Sequence, residues 1–224
     1  MIEHSGQIIA STFEKTWYWY NEALFWPEQI MRIKQICERE DEVEAMVVGN
    51  TEANHNIRKN KVSWHDNEEL YSMIRPAMQT ANELSGWKYN ITCIEPVQYT
   101  VYYGDESHYH WHTDTITNDK TLNDDFPEGH MKGTIRKISC SIQLEDPKDY
   151  DGGEFELMVS RESKEDDLDL GGDGYFKTTS LSLPHCKDKG SAIFFPSFSY
   201  HRVKPVTKGI RKSLVCWFRG PKWI

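Results

Sequence analysis

The chain has 224 residues and a formal net charge of -9, and no stretch of it approaches the apolar length needed to span a bilayer. This acidic balance argues against a groove for nucleic acid, which needs clustered Lys and Arg to displace counterions. The first twenty residues contain charged side chains and no unbroken apolar run, so we expect no secretory signal. The length is sufficient for a sizeable core, and we predict a single domain over residues 1–224.

The cysteine pattern bears on the cellular compartment. The chain has five cysteines, an odd number with wide spacing and no Cys-x-x-Cys pair. A disulfide framework or a zinc knuckle is therefore not expected, and reduced thiols predict a cytoplasmic protein.

The first part of the chain is rich in aromatic residues and then becomes helical. Aromatic side chains are dense between Phe13 and Trp26, a pattern more typical of packing than of ligand binding. Pro27 begins an amphipathic pattern that predicts a helix to about Arg39, with isoleucines spaced along one face.

A second helix is predicted after residue 65. Asp66 is expected to cap its first turn, with Glu69 completing a capping box, and the helix is expected to end near Gly86. Pro76 lies inside the pattern and predicts a kink or a break. We expect residues 1–87 to be mostly helical support for the β-rich remainder of the chain.

From Trp87 onwards the pattern is that of strands. Roughly eight strands after two helices, joined by Gly, Pro and Asp turns, favour an α+β chain with a double-stranded β-helix, or jelly roll. The predicted strands are Tyr89 to Pro96, Val97 to Tyr103, His108 to His112, Lys137 to Leu144, Gly153 to Met158, Ser191 to Pro196, Tyr200 to Lys204 and Lys212 to Phe218.

Two segments of the predicted β region are expected to be loops. Thr115 to Gly133 comes directly after the His-x-Asp motif, and a loop of this length is typical of a lid or binding loop. The acidic, Gly-rich segment Ser160 to Leu183 is interpreted as a solvated insertion.

The chemistry is concentrated in three residues that are far apart in the sequence. In a strand, residues i and i+2 point to the same face, so His112 and Asp114 can present an imidazole and a carboxylate to one point. His201, on a distant strand, would complete a two-histidine, one-carboxylate triad of the kind that binds non-haem Fe(II). Arg211 is a cation able to hold a dicarboxylate by a bidentate fork.

A rival interpretation of the same segment remains open. His108, His110, His112 and Asp114 alternate and could share a face, so three histidines could bind zinc and activate water for hydrolysis. A non-enzymatic jelly-roll domain with a structural zinc is a further alternative.

Four segments together resemble a known family. They are Gln98-Tyr-Thr-Val-Tyr-Tyr-Gly, Trp111-His-Thr-Asp, Asp149-Tyr-Asp-Gly-Gly-Glu-Phe and His201 to Arg211. In these segments the chain resembles the Fe(II)/2-oxoglutarate-dependent dioxygenases, in particular the prolyl 4-hydroxylase-like branch and the bacterial PKHD-type hydroxylases. The resemblance covers roughly Gln98 to Phe218 and implies the jelly-roll fold.

The resemblance also implies roles for individual residues. His112, Asp114 and His201 would bind Fe(II), Arg211 would bind the distal carboxylate of 2-oxoglutarate, and Tyr103 would hydrogen-bond the same co-substrate. The implied reaction uses O2, releases succinate and CO2, and has ascorbate as a candidate reductant. The implied substrate is a peptidyl proline, with another protein side chain or a small molecule as alternatives. Neither a nucleic acid nor a membrane is an expected partner.

Overall fold

The computed structural model describes residues 16–46, 53–115, 129–162 and 177–223. Within these ranges the chain forms two α-helices, α1 (Pro27–Cys37) and α2 (Glu68–Leu84), and thirteen β-strands with antiparallel pairing throughout. The strands are β1 (Trp19–Asn21), β2 (Val43–Glu44), β3 (Arg58–Lys59), β4 (Lys61–His65), β5 (Cys93–Ile94), β6 (Val97–Tyr103), β7 (Ser107–His112), β8 (Thr134–Gln143), β9 (Tyr150–Gly152), β10 (Phe155–Glu162), β11 (Lys177–Ser182), β12 (Ala192–Pro196) and β13 (His201–Pro221).

The strands form two sheets that share β13. The larger sheet has the order β1-β12-β8-β13-β6-β4-β2. The smaller sheet contains β3, β7, β9, β10 and β11 around the first half of β13. Strand β13 pairs with β9 up to Gly209 and with β6 from Ile210, so one strand passes from one sheet to the other.

Gly209 makes this passage possible. Its φ of +72° lies in the left-handed region, and a Cβ added there would overlap the carbonyl oxygen of Asp149. Only glycine fits both the backbone conformation and this close approach. The prediction of two strands, Tyr200 to Lys204 and Lys212 to Phe218, is therefore wrong in its division, because a single strand covers both.

Both helices contribute to a hydrophobic cluster with the larger sheet. The cluster includes Ile33 of α1, Ile74 of α2, and Leu214 and Phe218 of β13, all of them buried. Burying these apolar side chains is the main contribution that keeps helices and sheet together. A second cluster forms on the other face of the larger sheet, where Tyr102, Phe155, Phe195 and Val203 meet between the sheets.

The second helix begins one residue later than the pattern indicates. Asn67 is its N-cap, with its side-chain oxygen accepting from the backbone N–H groups of Glu69 and Leu70. Asp66 instead accepts a hydrogen bond from the Tyr71 hydroxyl at 2.7 Å. The helix also continues through Pro76, because one lost hydrogen bond is offset by the buried apolar face on both sides of it.

The predicted strand Tyr89 to Pro96 is reduced to β5, Cys93–Ile94. The side chain of Asn82 satisfies both backbone groups of Tyr89, accepting from its N–H and donating to its carbonyl oxygen, each at 2.9 Å. The backbone of Tyr89 therefore needs no neighbouring strand.

The N-terminal part contributes strands as well as helices, since β1, β2 and β4 belong to the larger sheet and β3 to the smaller one.

Of the predicted loops, residues 116–128 and 163–176 lie outside the described residues, as does Phe13. Strands β10 and β11 pair with each other, and residues 160–162 and 177–182 of these strands fall within the segment Ser160 to Leu183 that was expected to be a loop. No helix in the described part of the chain is long and apolar enough to cross a membrane. The single domain over residues 1–224 stays a prediction.

Candidate metal centre

The pairing of β7 with β13 brings the predicted ligands together. His112 ends β7, His201 begins β13, and the two are direct partners in the antiparallel register. Asp114 lies two residues after His112, and its backbone N–H donates to the carbonyl oxygen of Ser197 at 2.9 Å. This contact fixes the segment after β7 against the turn that precedes His201.

The three side chains face one another at distances that leave room for an ion. One ligand atom from each of His112, Asp114 and His201 lies within 4.8 Å of the others. Nε2 of His112 is 3.7 Å and Nε2 of His201 is 3.5 Å from the Asp114 carboxylate oxygens. These separations are too long for hydrogen bonds. Two imidazoles and a carboxylate, mostly buried and turned towards one point, are a donor set that fits a non-haem Fe(II).

The backbone fixes the tautomer of both histidines. Nδ1 of His112 lies 2.8 Å from the carbonyl oxygen of His110, and Nδ1 of His201 lies 3.0 Å from that of Ser199. A carbonyl oxygen only accepts, so each Nδ1 carries the proton and each Nε2 presents its lone pair to the centre.

The protonation states also suit a metal. Burial lowers the pKa of His112 well below its ordinary value, and the neighbouring His201 acts in the same direction. Burial acts to raise the pKa of Asp114, but His201, His112 and Arg136 outweigh it and lower that pKa to about 2. The centre therefore presents a neutral imidazole and an ionised carboxylate at neutral pH.

An irregularity in β7 separates His112 from the other two histidines. Between the pairs His201 to His112 and Val203 to Tyr109, β7 has one more residue than β13. This bulge breaks the alternation, so Tyr109 and His112 face the same side and their rings stack at 3.5 Å. His108 and His110 are not in the metal-competent group found among the described residues. His112 and Asp114 thus face one point together, as expected, whereas His108 and His110 do not join them, which disfavours the rival three-histidine site.

A cavity of about 140 Å³ opens beside the three side chains. Its walls come from the inner faces of both sheets, with aromatic rings, two arginines and a few neutral polar groups. In addition to the three candidate ligands, its lining includes Arg58, Trp64, Gln98, Tyr102, Arg136 and Trp217.

Arg211 is buried next to this cavity. It is 1% exposed, and its guanidinium lies 5.1 Å from the ring of Tyr102, which lines the cavity. Its Nη1 donates to Ser213 at 3.4 Å, and its Nε has no hydrogen-bond partner in the described part of the chain. A buried guanidinium whose described partners are neutral hydroxyls, Ser213 and Tyr150, fits a carboxylate ligand, because a buried charge without a counter-charge is costly.

The Asp-Gly-Gly segment shapes the environment of Arg211. A Cβ at Gly153 would lie 2.8 Å from Cδ of Arg211, so the glycine lets the backbone lie against the arginine stem. Burial raises the pKa of Tyr150, while the Arg211 charge acts in the opposite direction. The phenol of Tyr150 lies within side-chain interaction range of the Arg211 guanidinium, which acts to lower its pKa, so the two groups face the same space.

Tyr103 is not part of the cavity. Its hydroxyl donates to Glu42 at 2.8 Å, and its ring packs against the hydrophobic cluster that the two helices form with the larger sheet. Successive residues of β6 point to opposite faces, so Gln98 and Tyr102 face the cavity while Tyr99 and Tyr103 face the helices. Tyr102 and not Tyr103 therefore lines the cavity, and a contact of Tyr103 with the co-substrate stays a prediction that this geometry does not favour.

The fold and the site together define an antiparallel two-sheet protein with a two-histidine, one-carboxylate centre and a buried arginine beside it. The profile of the 2OG-Fe(II) oxygenase superfamily matches residues 97–219, more than half of the chain. The chain belongs to this family of oxidoreductases.

Several relatives in sequence are PKHD-type hydroxylases. One from Aliarcobacter butzleri is 35% identical over 95 residues, which are 42% of this chain and 34% of that protein. One from Hyphomonas neptunium is 35% identical over 83 residues, 37% of this chain and 29% of that protein. The matched part of the chain thus spans about a third of the length of these relatives.

Solved structures share the fold over most of the chain. A prolyl-4-hydroxylase from Pseudomonas putida has a TM-score of 0.61 at 17% identity and covers 91% of this chain and 93% of its own. A viral collagen prolyl hydroxylase from Paramecium Bursaria Chlorella virus-1 has a TM-score of 0.61 at 14% identity, over 94% and 99%. At these identities the likeness concerns the jelly-roll fold.

Proposed function

We propose that the chain is an Fe(II)- and 2-oxoglutarate-dependent hydroxylase in which His112, Asp114 and His201 bind the iron. The observation that carries this proposal is the arrangement of their ligand atoms, which lie within 4.8 Å of one another without hydrogen bonds between them. Three protein ligands on one side of an ion leave positions for a chelating co-substrate and for O2.

Arg211 is proposed to bind the distal carboxylate of 2-oxoglutarate. It is fully buried, lies beside Tyr102 in the cavity wall, and has an unpartnered Nε among the described residues. The phenol of Tyr150, which lies beside this guanidinium, is a second donor for the same carboxylate. Charge-assisted hydrogen bonds of this kind are about twice as strong as neutral ones.

The protein residues orient the reactants and exclude water. When bound, Fe(II) and 2-oxoglutarate supply the oxidising chemistry, in which O2 gives one oxygen atom to succinate, with loss of CO2, and one to a substrate C–H bond. Asp114 and His112 hold the charge states that a cation needs, and Phe155 and Phe195 lie against the ring of His201. These apolar rings keep water away from the imidazole and fix its direction.

A peptidyl proline is the proposed substrate. The support comes from the names of proteins that share the fold, including a prolyl hydroxylase from Trichoplax adhaerens solved with a peptide fragment, at a TM-score of 0.54. Another protein side chain and a small molecule are the alternatives to test next.

The experiment that tests the iron site is an anaerobic titration with Fe(II) and 2-oxoglutarate, followed by visible absorption. A weak charge-transfer band is expected only when both are present. His201→Ala should abolish the band because it removes one ligand. The double variant His108→Ala, His110→Ala is the matched control and should keep the band, because neither side chain belongs to the centre.

Tight zinc binding without a charge-transfer band would overturn the proposal in favour of a structural zinc. Loss of zinc binding and of a hydrolytic activity in the His108, His110 variant would instead support the hydrolase alternative.

A further inference from the structure

The cavity beside the candidate metal centre carries more positive charge than the proposed function uses. Two arginines, Arg58 and Arg136, line it, and Asp114 is the one acidic residue that the described part of the chain contributes to its lining. This is a local exception in a chain whose net charge is -9.

The two arginines differ in their partners. Arg136 forms a bidentate pair with the buried carboxylate of Glu95, at 2.8 and 2.6 Å. Arg58 has no such partner in the described part of the chain. Its Nε donates to Asn60 Oδ1 at 3.2 Å, its Nη1 to the Met46 carbonyl oxygen at 3.3 Å, and its Nη2 to Gln98 Oε1 at 3.2 Å.

These neutral acceptors orient the guanidinium without balancing its charge. Arg58 is 9% exposed, so water does little to solvate it. The guanidinium lies 4.5 Å from the ring of Tyr109, which stacks on the imidazole of His112 at 3.5 Å. Among the described residues Arg58 is therefore a buried cation beside the centre without a counter-charge, an arrangement that is costly unless an anion binds there.

The charges of the loaded centre do not provide this anion. The formal charges of Fe(II), the Asp114 carboxylate, the two carboxylates of 2-oxoglutarate and Arg211 add up to zero. The positive charge of Arg58 is then left without a counter-charge in the described part of the site. Since no carboxylate among the described residues balances it, a negative charge on the remaining reactant fits this site, and in a hydroxylase that reactant is the substrate.

A further donor lies in the same wall. Trp217 is 5% exposed and lines the cavity, and its indole N–H has no acceptor in the described part of the chain. It stacks on Trp64, which is the register partner of Gln98, the acceptor for Arg58. The wall from Arg58 to Trp217 is thus continuous and offers N–H donors that lack an anionic acceptor.

We propose that Arg58 is a substrate-binding residue and that the substrate carries an oxyanion, a carboxylate or a phosphate, which the Arg58 guanidinium receives beside the metal centre. This inference rests on the proposed function and narrows its substrate class. It applies to an acidic small molecule and equally to a peptide with an acidic residue near the hydroxylated position.

The test uses the protein loaded anaerobically with Fe(II) and 2-oxoglutarate and titrated with acetate or methyl phosphate. Tryptophan fluorescence reports the binding, because Trp64 and Trp217 line the cavity, and the charge-transfer band reports whether 2-oxoglutarate stays in place. Saturable binding with an intact band is expected for at least one anion, and which one binds distinguishes a carboxylate from a phosphate. Acetamide, the neutral analogue of acetate, should not bind.

Arg58→Gln should raise the Kd for the anion by at least about tenfold, while the Kd for 2-oxoglutarate stays unchanged. Arg75→Gln is the matched control, since it removes the same charge from an exposed ion pair on α2. Trp217→Phe keeps the stacked ring but loses the N–H donor. It should raise the Kd for the anion a few-fold, the effect expected for the loss of one hydrogen bond. Arg58→Lys keeps the charge and should retain part of the affinity, so it carries the test if Arg58→Gln does not fold.

Three results would overturn the inference. Anion binding that is unchanged in Arg58→Gln would place the anion elsewhere, for example on the metal. If the anion displaced 2-oxoglutarate, or if Arg58→Gln weakened the binding of 2-oxoglutarate, Arg58 would be part of the co-substrate site. A normal band without saturable binding of either anion would refute an oxyanion site while leaving the proposed function intact; absence of the band would refute both.

Discussion

Single arginines in the interior behave differently according to the acceptors around them. Arg136 and Arg219 share the carboxylate of Glu95, whereas Arg58 and Arg211 contact neutral groups in the described structure. The first pair stabilises the fold, and the second pair is suited to bind anionic ligands.

Arg211→Gln is predicted to raise the Kd for 2-oxoglutarate by about tenfold to a hundredfold, because the distal carboxylate loses a charge-assisted partner. Tyr103→Phe should change it by less than about twofold, because that hydroxyl binds Glu42 outside the cavity. Titration of the charge-transfer band measures both values. A large effect of Tyr103→Phe with none for Arg211→Gln would reverse the assignment.

The buried ion pairs of Glu95 predict that the free energy of unfolding depends on pH. Burial acts to raise the pKa of Glu95, but Arg136 and Arg219 outweigh this and the pKa lies below its ordinary value. The carboxylate therefore stabilises the fold fully above its unfolded pKa of about 4.3, and this stabilisation is lost as the pH falls through the folded value.

Glu95→Gln should lower the free energy of unfolding by about 3 kcal/mol at pH 7 and by much less in acid, because the buried guanidinium groups lose their counter-charge. Urea unfolding of both proteins between about pH 3 and 7 measures the difference. A difference that stays constant across this range would show that the ion pair does not contribute.

At the scale of elements, the bulge in β7 determines which histidines meet. A regular strand would have put His108, His110 and His112 on one face, and the extra residue puts Tyr109 beside His112 instead. The sequence carries no clear signal for this bulge, because it arises from pairing with β13, about ninety residues further along the chain.

Helix α1 is expected to contribute to stability and not to the chemistry. Ile33→Ala should cost about 3 kcal/mol, since the side chain is fully buried against α2 and the larger sheet. Met31→Ala, on the same helix but 56% exposed, should cost less than about 1 kcal/mol. Denaturant unfolding gives both values, and metal affinity should be unchanged in each variant. Weaker metal binding in Ile33→Ala would couple the helix to the centre.

At the scale of the whole molecule, β13 is the element on which both sheets depend. It pairs with six other strands and carries His201 in the smaller sheet and Arg211 in the larger one. One continuous strand therefore carries both His201, a proposed metal ligand, and Arg211, the proposed co-substrate residue.

This arrangement predicts that the two sheets unfold together. Urea unfolding monitored by tryptophan fluorescence and by far-UV circular dichroism should give coincident single transitions. Pro205→Gly, a change within β13, should move both curves by the same amount. Two separate transitions would contradict the predicted single domain.

Much of the site could be predicted from local patterns. The i, i+2 spacing of His112 and Asp114 predicts that they converge, and the family resemblance adds His201 and Arg211 to the candidate site. The strand Val97–Tyr103 was predicted with its observed bounds. The sequence does not show which of the adjacent residues Tyr102 and Tyr103 faces the cavity, because the face of a strand is decided by what packs on each side; in the structure it is Tyr102.

Sequence alone determined the family segments, the donor types and the change from helical to strand periodicity, because these depend on residue identity and on spacing within a few residues. Only the tertiary structure decided which groups share the cavity. Arg58 is more than fifty residues from His112 in the chain, yet Tyr109 contacts both side chains. The charge balance that singles out Arg58 depends on which carboxylates lie nearby in space, and such distances are set by sheet pairing.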